Sequence, residues 1–101
     1  AIEMALWDIK GKALGVPVIL DVTHSLQVPN HQSGVTGGQP QMIETMTLAG
    51  IAAGANGIFI ETHPDPSKAL SDGANMLSLH LLKPLVNKMT RLNASLLKNY
   101  E

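Results

Sequence analysis

The segment that decides the fold covers residues 58 to 73 and reads Ile58-Phe59-Ile60-Glu61-Thr62-His63-Pro64-Asp65-Pro66-Ser67-Lys68-Ala69-Leu70-Ser71-Asp72-Gly73. Its apolar start predicts a short buried strand over residues 58–61. The strand ends in a carboxylate, and a loop rich in Pro, Asp and Ser follows with a histidine and two more aspartates. A buried strand that delivers ionisable groups into a loop is typical of α/β active sites, whose chemistry lies at the C-terminal ends of parallel strands.

An earlier segment repeats this arrangement and reads Val18-Ile19-Leu20-Asp21-Val22-Thr23-His24. Its apolar, β-branched residues predict a strand over residues 18–22, followed by a long loop rich in Gly, Ser, Asn and Gln. The separation of His24 from Glu61 is about what one loop, one helix and one strand occupy. We therefore expect the two side chains to face each other across neighbouring strand ends.

Three helices are predicted around these strands. The first covers residues 2–14, with Gly15 as its C-cap and Pro17 beyond it. The second covers residues 39–53 and ends at Gly54, and the third runs from about residue 79 to residue 98 with Pro84 in its first turn or at a break one turn later. The buried side of the second helix is predicted to carry Met42, Ile43, Met46, Leu48, Ala49, Ala52 and Ala53.

The predicted order is helix, strand, loop, helix, strand, loop and helix, which indicates an α/β fold with parallel strands joined by a helical crossover. Two strands that need cover on both faces would leave two exposed edges. We therefore expect the chain to be a homo-oligomer or part of a larger chain.

Composition narrows the class of protein. The chain has 101 residues, no cysteine and a formal net charge of −1. That length suits one modest domain, and the charge gives no support to a nucleic-acid or anionic-membrane partner. No apolar run approaches the roughly 20 residues that span a bilayer. We expect a cytoplasmic protein.

The candidate chemical groups are His24, Glu61 and Asp72. One imidazole and two carboxylates can hold a divalent metal ion, and an imidazole also moves protons near neutral pH. The alternative is structural: His24 bonds backbone at a strand end, Glu61 closes an ion pair and Asp72 caps a turn. The wide spacing of the three residues leaves both interpretations open.

Three further residues are weaker candidates. His63 could bind an anionic group or could be a loop histidine that the neighbouring prolines hold rigid. Asp65 precedes Pro66 and predicts turn initiation more than catalysis. Asp21 could orient His24 or a neighbouring loop.

Two stretches resemble one family in motif order and spacing: Asp21-Val22-Thr23-His24-Ser25-Leu26-Gln27, and Phe59-Ile60-Glu61-Thr62-His63-Pro64-Asp65-Pro66 continuing to Leu70-Ser71-Asp72-Gly73. The family is that of the 3-deoxy-D-manno-octulosonate 8-phosphate synthases, relatives of the DAHP synthases, and the resemblance covers about residues 17–97. These transferases condense phosphoenolpyruvate with D-arabinose 5-phosphate, release phosphate and so supply the sugar acid of Gram-negative lipopolysaccharide. The resemblance implies a (β/α)8 TIM barrel, of which residues 17–101 would be the last two βα units.

The resemblance also implies roles for single residues. His24, Glu61 and Asp72 match the metal-site positions, His24 and Asp72 the catalytic positions, and Gln27 and His63 substrate-binding positions. Metal-dependent members complete the site with a cysteine on an early strand, and metal-independent members have asparagine there. No segment of these residues matches that strand, so a divalent metal remains one of two options.

The N-terminal segment has a different resemblance. Ala5-Leu6-Trp7-Asp8-Ile9-Lys10-Gly11-Lys12-Ala13-Leu14-Gly15-Val16-Pro17 looks like the helix before the barrel in the mandelate racemase and muconate-lactonising branch of the enolase superfamily, where it is structural. We therefore predict that residues 1–16 are an extra helix of separate origin and that the sequence is a chimera or imperfectly assigned. The alternative to a synthase is a non-catalytic, fragmentary βα module that self-associates.

Overall fold

The computed structural model of the chain describes residues 13–26 and 40–98. The strands are β1 (Ile19–Asp21), β2 (Gly57–Phe59), β3 (Thr62–His63) and β4 (Leu77–Ser78), and the α-helices are α1 (Ile43–Ala53) and α2 (Leu82–Lys98). Five single 3₁₀ turns connect them, at His24–Leu26, Pro40–Met42, Pro66–Lys68, Gly73–Asn75 and Leu79–Leu81.

Strands β1 and β2 form a parallel pair, as the element order predicts, and α1 lies between them in the chain. The register places Leu20 opposite Ile58 and Asp21 opposite Phe59. Beyond the last strand residue, the Val22 amide donates to the Phe59 carbonyl at 3.1 Å. Both strands therefore end at the same edge, and the chain after each of them enters the same region of space.

Helix α1 covers this pair through a face that agrees only in part with the predicted one. Ile43 and Thr47 are buried, whereas Ala49, Ala52 and Ala53 are exposed. A Cβ atom at Gly50 would overlap a terminal methyl group of Leu20, so the glycine leaves room for this side chain of β1 against the helix. The prediction is confirmed for Ile43 and for Met46, which packs against the core, and it was wrong for the alanines. Helix α1 is apolar on most sides, and periodicity cannot choose between apolar faces.

The predicted end of α1 is confirmed. Gly54 has a φ of +107°, a left-handed conformation that glycine adopts without steric cost. The amides of Gly54 and Ala55 donate to the carbonyls of Ile51 and Gly50. These bonds satisfy carbonyl groups that the helix end leaves free.

Helix α2 begins at Leu82 and contains Pro84 in its first turn, the first of the two positions considered for that proline. Proline is tolerated there because amides in the first turn have no partner within the helix. Leu85 is 3% exposed and forms the core with Val22, Ile43 and Leu77. Other apolar residues of α2 are not covered, since Val86 and Leu97 are exposed.

The region predicted as a loop from Thr62 to Leu77 contains secondary structure. Strands β3 and β4 pair in parallel, with Thr62 opposite Leu77, and the Leu77 amide donates to the Glu61 carbonyl at 3.0 Å. Strands of two residues carry no detectable alternation, so the sequence pattern could not reveal them. The pairing closes the loop and returns its end to the edge where β2 terminates.

Most of the predicted N-terminal helix lies outside the described residues, as do Gln27 and most of the predicted long loop after His24. Residues 13 and 14 are helical and Gly15 has a φ of +69°, which fits the predicted helix end. Neither α1 nor α2, the α-helices that the structure describes over their full length, is long and apolar enough to cross a membrane.

Candidate functional site

A buried threonine joins the ends of β1 and β2. Thr23 is 0% exposed, and its Oγ1 accepts a hydrogen bond from the Glu61 amide at 2.8 Å. Glu61 lies two residues after the end of β2, and His24 comes directly after Thr23, beyond the end of β1. The bond therefore fixes the backbone of Glu61 against the turn that carries His24, and it brings both side chains to the carboxyl edge of the sheet.

Asp21, the last residue of β1, organises the turn that follows. Its Oδ1 accepts from the amides of Thr23 and His24, each at 2.9 Å. Its Oδ2 lies 2.7 Å from Nδ1 of the His24 ring. Asp21 was expected to orient either His24 or a neighbouring loop, and the structure places it in contact with His24. It holds this residue through both the backbone amide and the ring.

His24, Glu61 and Asp72 converge on one point. Nε2 of His24 lies 3.5 Å from Oε1 of Glu61 and 3.7 Å from Oδ2 of Asp72. One ligand atom from each residue falls within 4.8 Å of the others. The structure therefore brings together the three residues that the sequence analysis selected, although they come from three separate segments of the chain.

The donor set fits a divalent cation. Ligand atoms bound to one ion at about 2.1 Å are separated by roughly 3.0 to 3.5 Å, close to the separations found around Nε2. One nitrogen and two carboxylate oxygens also leave room for water or substrate ligands. Two carboxylates facing one ring nitrogen favour a positive occupant, which is either a proton on the ring or a metal ion.

Asp72 does not have the structural role that was the alternative for it. It precedes the Gly73–Asn75 turn, but its side chain makes no capping hydrogen bond to that turn. Its φ is +55°, and it is the only residue other than glycine with a positive φ in the described part of the chain. Aspartate tolerates this left-handed conformation better than most residues. The carboxylate is thus left to face His24.

Hydrogen bonding sets the electrostatics of the Asp21–His24 pair. The hydrogen bond to the Asp21 side chain raises the pKa of His24, and the negative charges of Asp21, Glu61 and Asp72 raise it further against partial desolvation. Desolvation raises the pKa of Asp21, but hydrogen bonds from the His24 amide, the His24 ring and the Thr23 amide together lower it below its ordinary value. The pair therefore favours a charged carboxylate and a protonated ring.

The remaining candidates lie in the segment after β2 or outside the described residues. His63 is half-buried in β3, and its Nδ1 accepts from the Asp65 amide at 2.9 Å, which fixes the orientation of the ring. Asp65 initiates the Pro66–Lys68 turn, as predicted, and accepts from the Ser67 amide at 3.2 Å. Gln27 is not among the described residues.

Sequence reasoning missed two buried polar residues in this region. Thr23 was not selected, because a single threonine after a strand gives no signal of the distant amide that it will bind. Asn75 is 2% exposed, and its amide has no hydrogen-bond partner among the described residues. Its position two residues before β4 was visible only once that strand was known.

The carboxyl edge of this parallel pair therefore carries one histidine and two carboxylates. In α/β proteins, groups that bind a ligand or ion lie at this edge of the sheet. The model of one protein family, the DAHP synthetase I family, matches residues 2–98. The chain belongs to this family. The match begins at residue 2 and so includes the N-terminal segment, whose separate origin stays a prediction.

Curated relatives agree with the family match. The chain is 48% identical over 90 residues to a 2-dehydro-3-deoxyphosphooctonate aldolase of Hydrogenovibrio crunogenus, covering 85% of this chain and 32% of that protein. A protein of the same name from Rhizobium meliloti is 48% identical over 82 residues, covering 81% of this chain and 29% of the relative. The chain spans about a third of the length of these relatives.

Solved structures show the same fold. The crystal structure of a phospho-2-dehydro-3-deoxyheptonate aldolase (DAHP synthase) from Thermotoga maritima superposes with a TM-score of 0.66 at 38% identity, over 80% of this chain and 21% of that one. A truncated 3-deoxy-D-arabino-heptulosonate 7-phosphate synthase from the same organism gives the same TM-score and identity over 27% of its length. The α/β arrangement described above is therefore part of a known synthase fold.

Proposed function

We propose that this protein acts in the condensation of phosphoenolpyruvate with D-arabinose 5-phosphate to 3-deoxy-D-manno-octulosonate 8-phosphate and phosphate. One observation carries the proposal: His24, Glu61 and Asp72 place one ligand atom each within 4.8 Å, in a chain 48% identical to octulosonate aldolases. The reaction forms a carbon–carbon bond between the enol phosphate and the sugar aldehyde, while water adds and phosphate leaves.

The proposed roles follow from the contacts. His24 and Asp72 are the proposed catalytic residues, because Nε2 and Oδ2 face each other at 3.7 Å, a gap that one bridging water or a substrate hydroxyl could span to carry a proton. His63 and Gln27 are proposed to bind substrate; the fixed ring of His63 supports its part, through the bond from the Asp65 amide.

A divalent metal ion would be held by His24, Glu61 and Asp72. When bound, such an ion would polarise the aldehyde and position water. Without it, the same three side chains would hold a proton on the His24 ring between two carboxylates, and Asp72 and His24 would act by hydrogen bonding and proton transfer. The geometry of the cluster supports both options, a bound metal ion and a proton on the His24 ring.

We further propose that the two βα units are the last two of a (β/α)8 barrel in a cytoplasmic enzyme. The parallel pairing of β1 and β2 and the superposition on DAHP synthase support this arrangement. The phosphorylated substrates would then bind at the carboxyl edge, where all three residues of the cluster lie.

A segment exchange tests the function. The matching segment of the Hydrogenovibrio crunogenus relative is replaced by this chain, and phosphate release from phosphoenolpyruvate is measured with arabinose 5-phosphate, with EDTA and with added Mn²⁺. We expect turnover in the exchanged protein, and its loss in the His24→Ala variant of the same protein. We expect the separate chain to be inactive.

The same experiment separates the synthase from the alternative, a non-catalytic module that self-associates. A folded exchanged protein with no turnover under either metal condition would favour the module. Turnover that survives His24→Ala would contradict the assignment of the site. Asp65→Asn is the matched control, because Asp65 is an aspartate of the same loop region that faces Ser67 and Lys68 instead of the cluster.

A further inference from the structure

The Asp21 carboxylate uses its two oxygens for different purposes. Oδ1 is occupied by two backbone donors, the amides of Thr23 and His24. Oδ2 is 2.7 Å from Nδ1 of His24, its one hydrogen-bond partner among the residues that the structure describes. The carboxylate therefore cannot rotate without losing two backbone hydrogen bonds, and the oxygen that faces the ring is fixed.

We propose that Asp21 is a positioning residue that holds the proton of the neutral His24 ring on Nδ1 and so leaves Nε2 free towards Glu61 and Asp72. The inference rests on the proposed function for the use of Nε2, but its chemistry is local. An ionised carboxylate has no proton to donate, so the ring nitrogen that it contacts is the donor. The other nitrogen then keeps its lone pair.

The lone pair on Nε2 matters for function because this nitrogen faces two carboxylates. Nε2 lies 3.5 Å from Oε1 of Glu61 and 3.7 Å from Oδ2 of Asp72. A proton on Nε2 of the neutral ring would fill the point that a metal ion or a substrate proton must occupy. Partners that fix the tautomer of a ligating histidine in this way typically affect metal affinity by 10- to 100-fold.

The two-oxygen arrangement makes Asp21→Asn an informative substitution. The amide oxygen of asparagine must remain where Oδ1 is, because the amides of Thr23 and His24 still donate to that position. The NH₂ group then takes the place of Oδ2 and donates to Nδ1 of the ring. The variant therefore forces the neutral ring to carry its proton on Nε2, the opposite of the proposed state.

Nitrogen NMR of the ring tests the proposal directly. The protein is labelled with ¹⁵N-imidazole histidine, kept in EDTA and measured at a pH above the His24 pKa, and the His24 signal is assigned by its loss in His24→Gln. We expect the proton on Nδ1 in the unsubstituted protein and on Nε2 in Asp21→Asn. Asp65 is a loop aspartate whose carboxylate accepts from the Ser67 amide. The control variant Asp65→Asn should therefore leave the His24 signals unchanged.

Two results would overturn the proposal: a proton on Nε2 in the unsubstituted protein, or an unchanged tautomer in a folded Asp21→Asn variant. The first result needs no variant, so a variant that fails to fold does not remove the test. The measurement involves no turnover. An inactive exchanged protein with the proton on Nδ1 would contradict the proposed function and leave the role of Asp21 intact.

Discussion

At the scale of single residues, Thr23 and Thr47 are a natural pair for comparison, since each is 0% exposed. Thr23 accepts a hydrogen bond from the Glu61 amide, whereas Oγ1 of Thr47 has no partner among the described residues. Valine replaces the hydroxyl of threonine by a methyl group of nearly the same shape. The same substitution therefore has opposite consequences at the two positions.

We predict that Thr23→Val lowers the free energy of unfolding by about 1 to 3 kcal/mol, because it leaves the partly buried Glu61 amide without its threonine partner. Thr47→Val should be neutral or stabilising, because no bond is lost and a buried hydroxyl is removed. Urea denaturation of the two variants measures both values. Equal losses at the two positions would contradict the assigned contact.

The Asp21–His24 pair predicts a pH dependence. His24 has a raised pKa, so its contribution to stability is complete below its ordinary value of 6.5 and disappears as pH rises through the folded-state pKa. Asp21 has a lowered pKa, so its contribution is complete above its ordinary value of 3.8 and disappears as pH falls through the folded-state pKa. The coupling between them should be largest between pH 3.8 and pH 6.5.

A double-mutant cycle with Asp21→Ala and His24→Ala, performed in EDTA at several pH values, measures this coupling, because neither alanine side chain can form a new hydrogen bond with the remaining partner. The cycle removes effects that each substitution has on its own. We expect the coupling free energy to decline on both sides of the window. A coupling that is constant from acid to alkaline pH would show that the pair is not ionised as described.

At the scale of elements, the position of Asp72 depends on two adjoining turns. A Cβ atom at Gly73 would overlap the backbone carbonyl oxygen of Pro66. The turns Pro66–Lys68 and Gly73–Asn75 can therefore approach each other only because residue 73 has no side chain. This contact fixes the loop that holds the Asp72 carboxylate beside His24.

We predict that Gly73→Ala destabilises the chain by about 1 to 3 kcal/mol, the usual cost of forcing an extra methyl group into a closed contact. The substitution should also move Asp72 away from His24, which the ¹⁵N signals of the His24 ring would report. Ser71→Ala is the control, because Ser71 is an exposed neighbour and its change should cost less than about 0.5 kcal/mol. A Gly73→Ala variant as stable as this control would contradict the close approach of the two turns.

At the scale of the whole molecule, β1 and β2 form a two-stranded sheet within the described residues, so each strand has one edge without a β partner. Apolar side chains of this sheet are also exposed, with Ile19 at 60% and Phe59 at 47%. Unpaired strand edges next to apolar surface promote association with other chains. The chain is expected to self-associate on this ground.

Light scattering tests the expectation, since a monodisperse monomer of 10.7 kDa would refute it. Ile19→Lys should shift the population towards monomer, because a charge on an edge strand opposes edge-to-edge pairing. Leu97→Lys is the matched control: Leu97 is 58% exposed on α2, away from the sheet, against 60% for Ile19. An equal shift from both variants would mean that general apolar exposure, not the strand edge, drives association.

Local chemistry made several features predictable from the sequence. The parallel pairing of β1 and β2 followed from two apolar runs separated by a helix, and the end of α1 followed from Gly54, whose φ of +107° suits glycine. Pro84 limited the start of α2 to two positions, and the structure has the proline in the first turn. The members of the candidate site, His24, Glu61 and Asp72, were selected because each lies at or beyond a strand end.

Tertiary structure alone decided the rest. Packing on β1, where Gly50 lies against Leu20, decided which face of α1 is buried, since helical periodicity does not distinguish between apolar faces. The pairing of β3 with β4 and the bond from the Glu61 amide to Thr23 join positions far apart in the chain, and two-residue strands or single hydroxyls give no local signal. The sequence by itself determined which groups meet at the sheet edge, because strand ends are encoded locally. Only long-range contacts decided their distances and orientations.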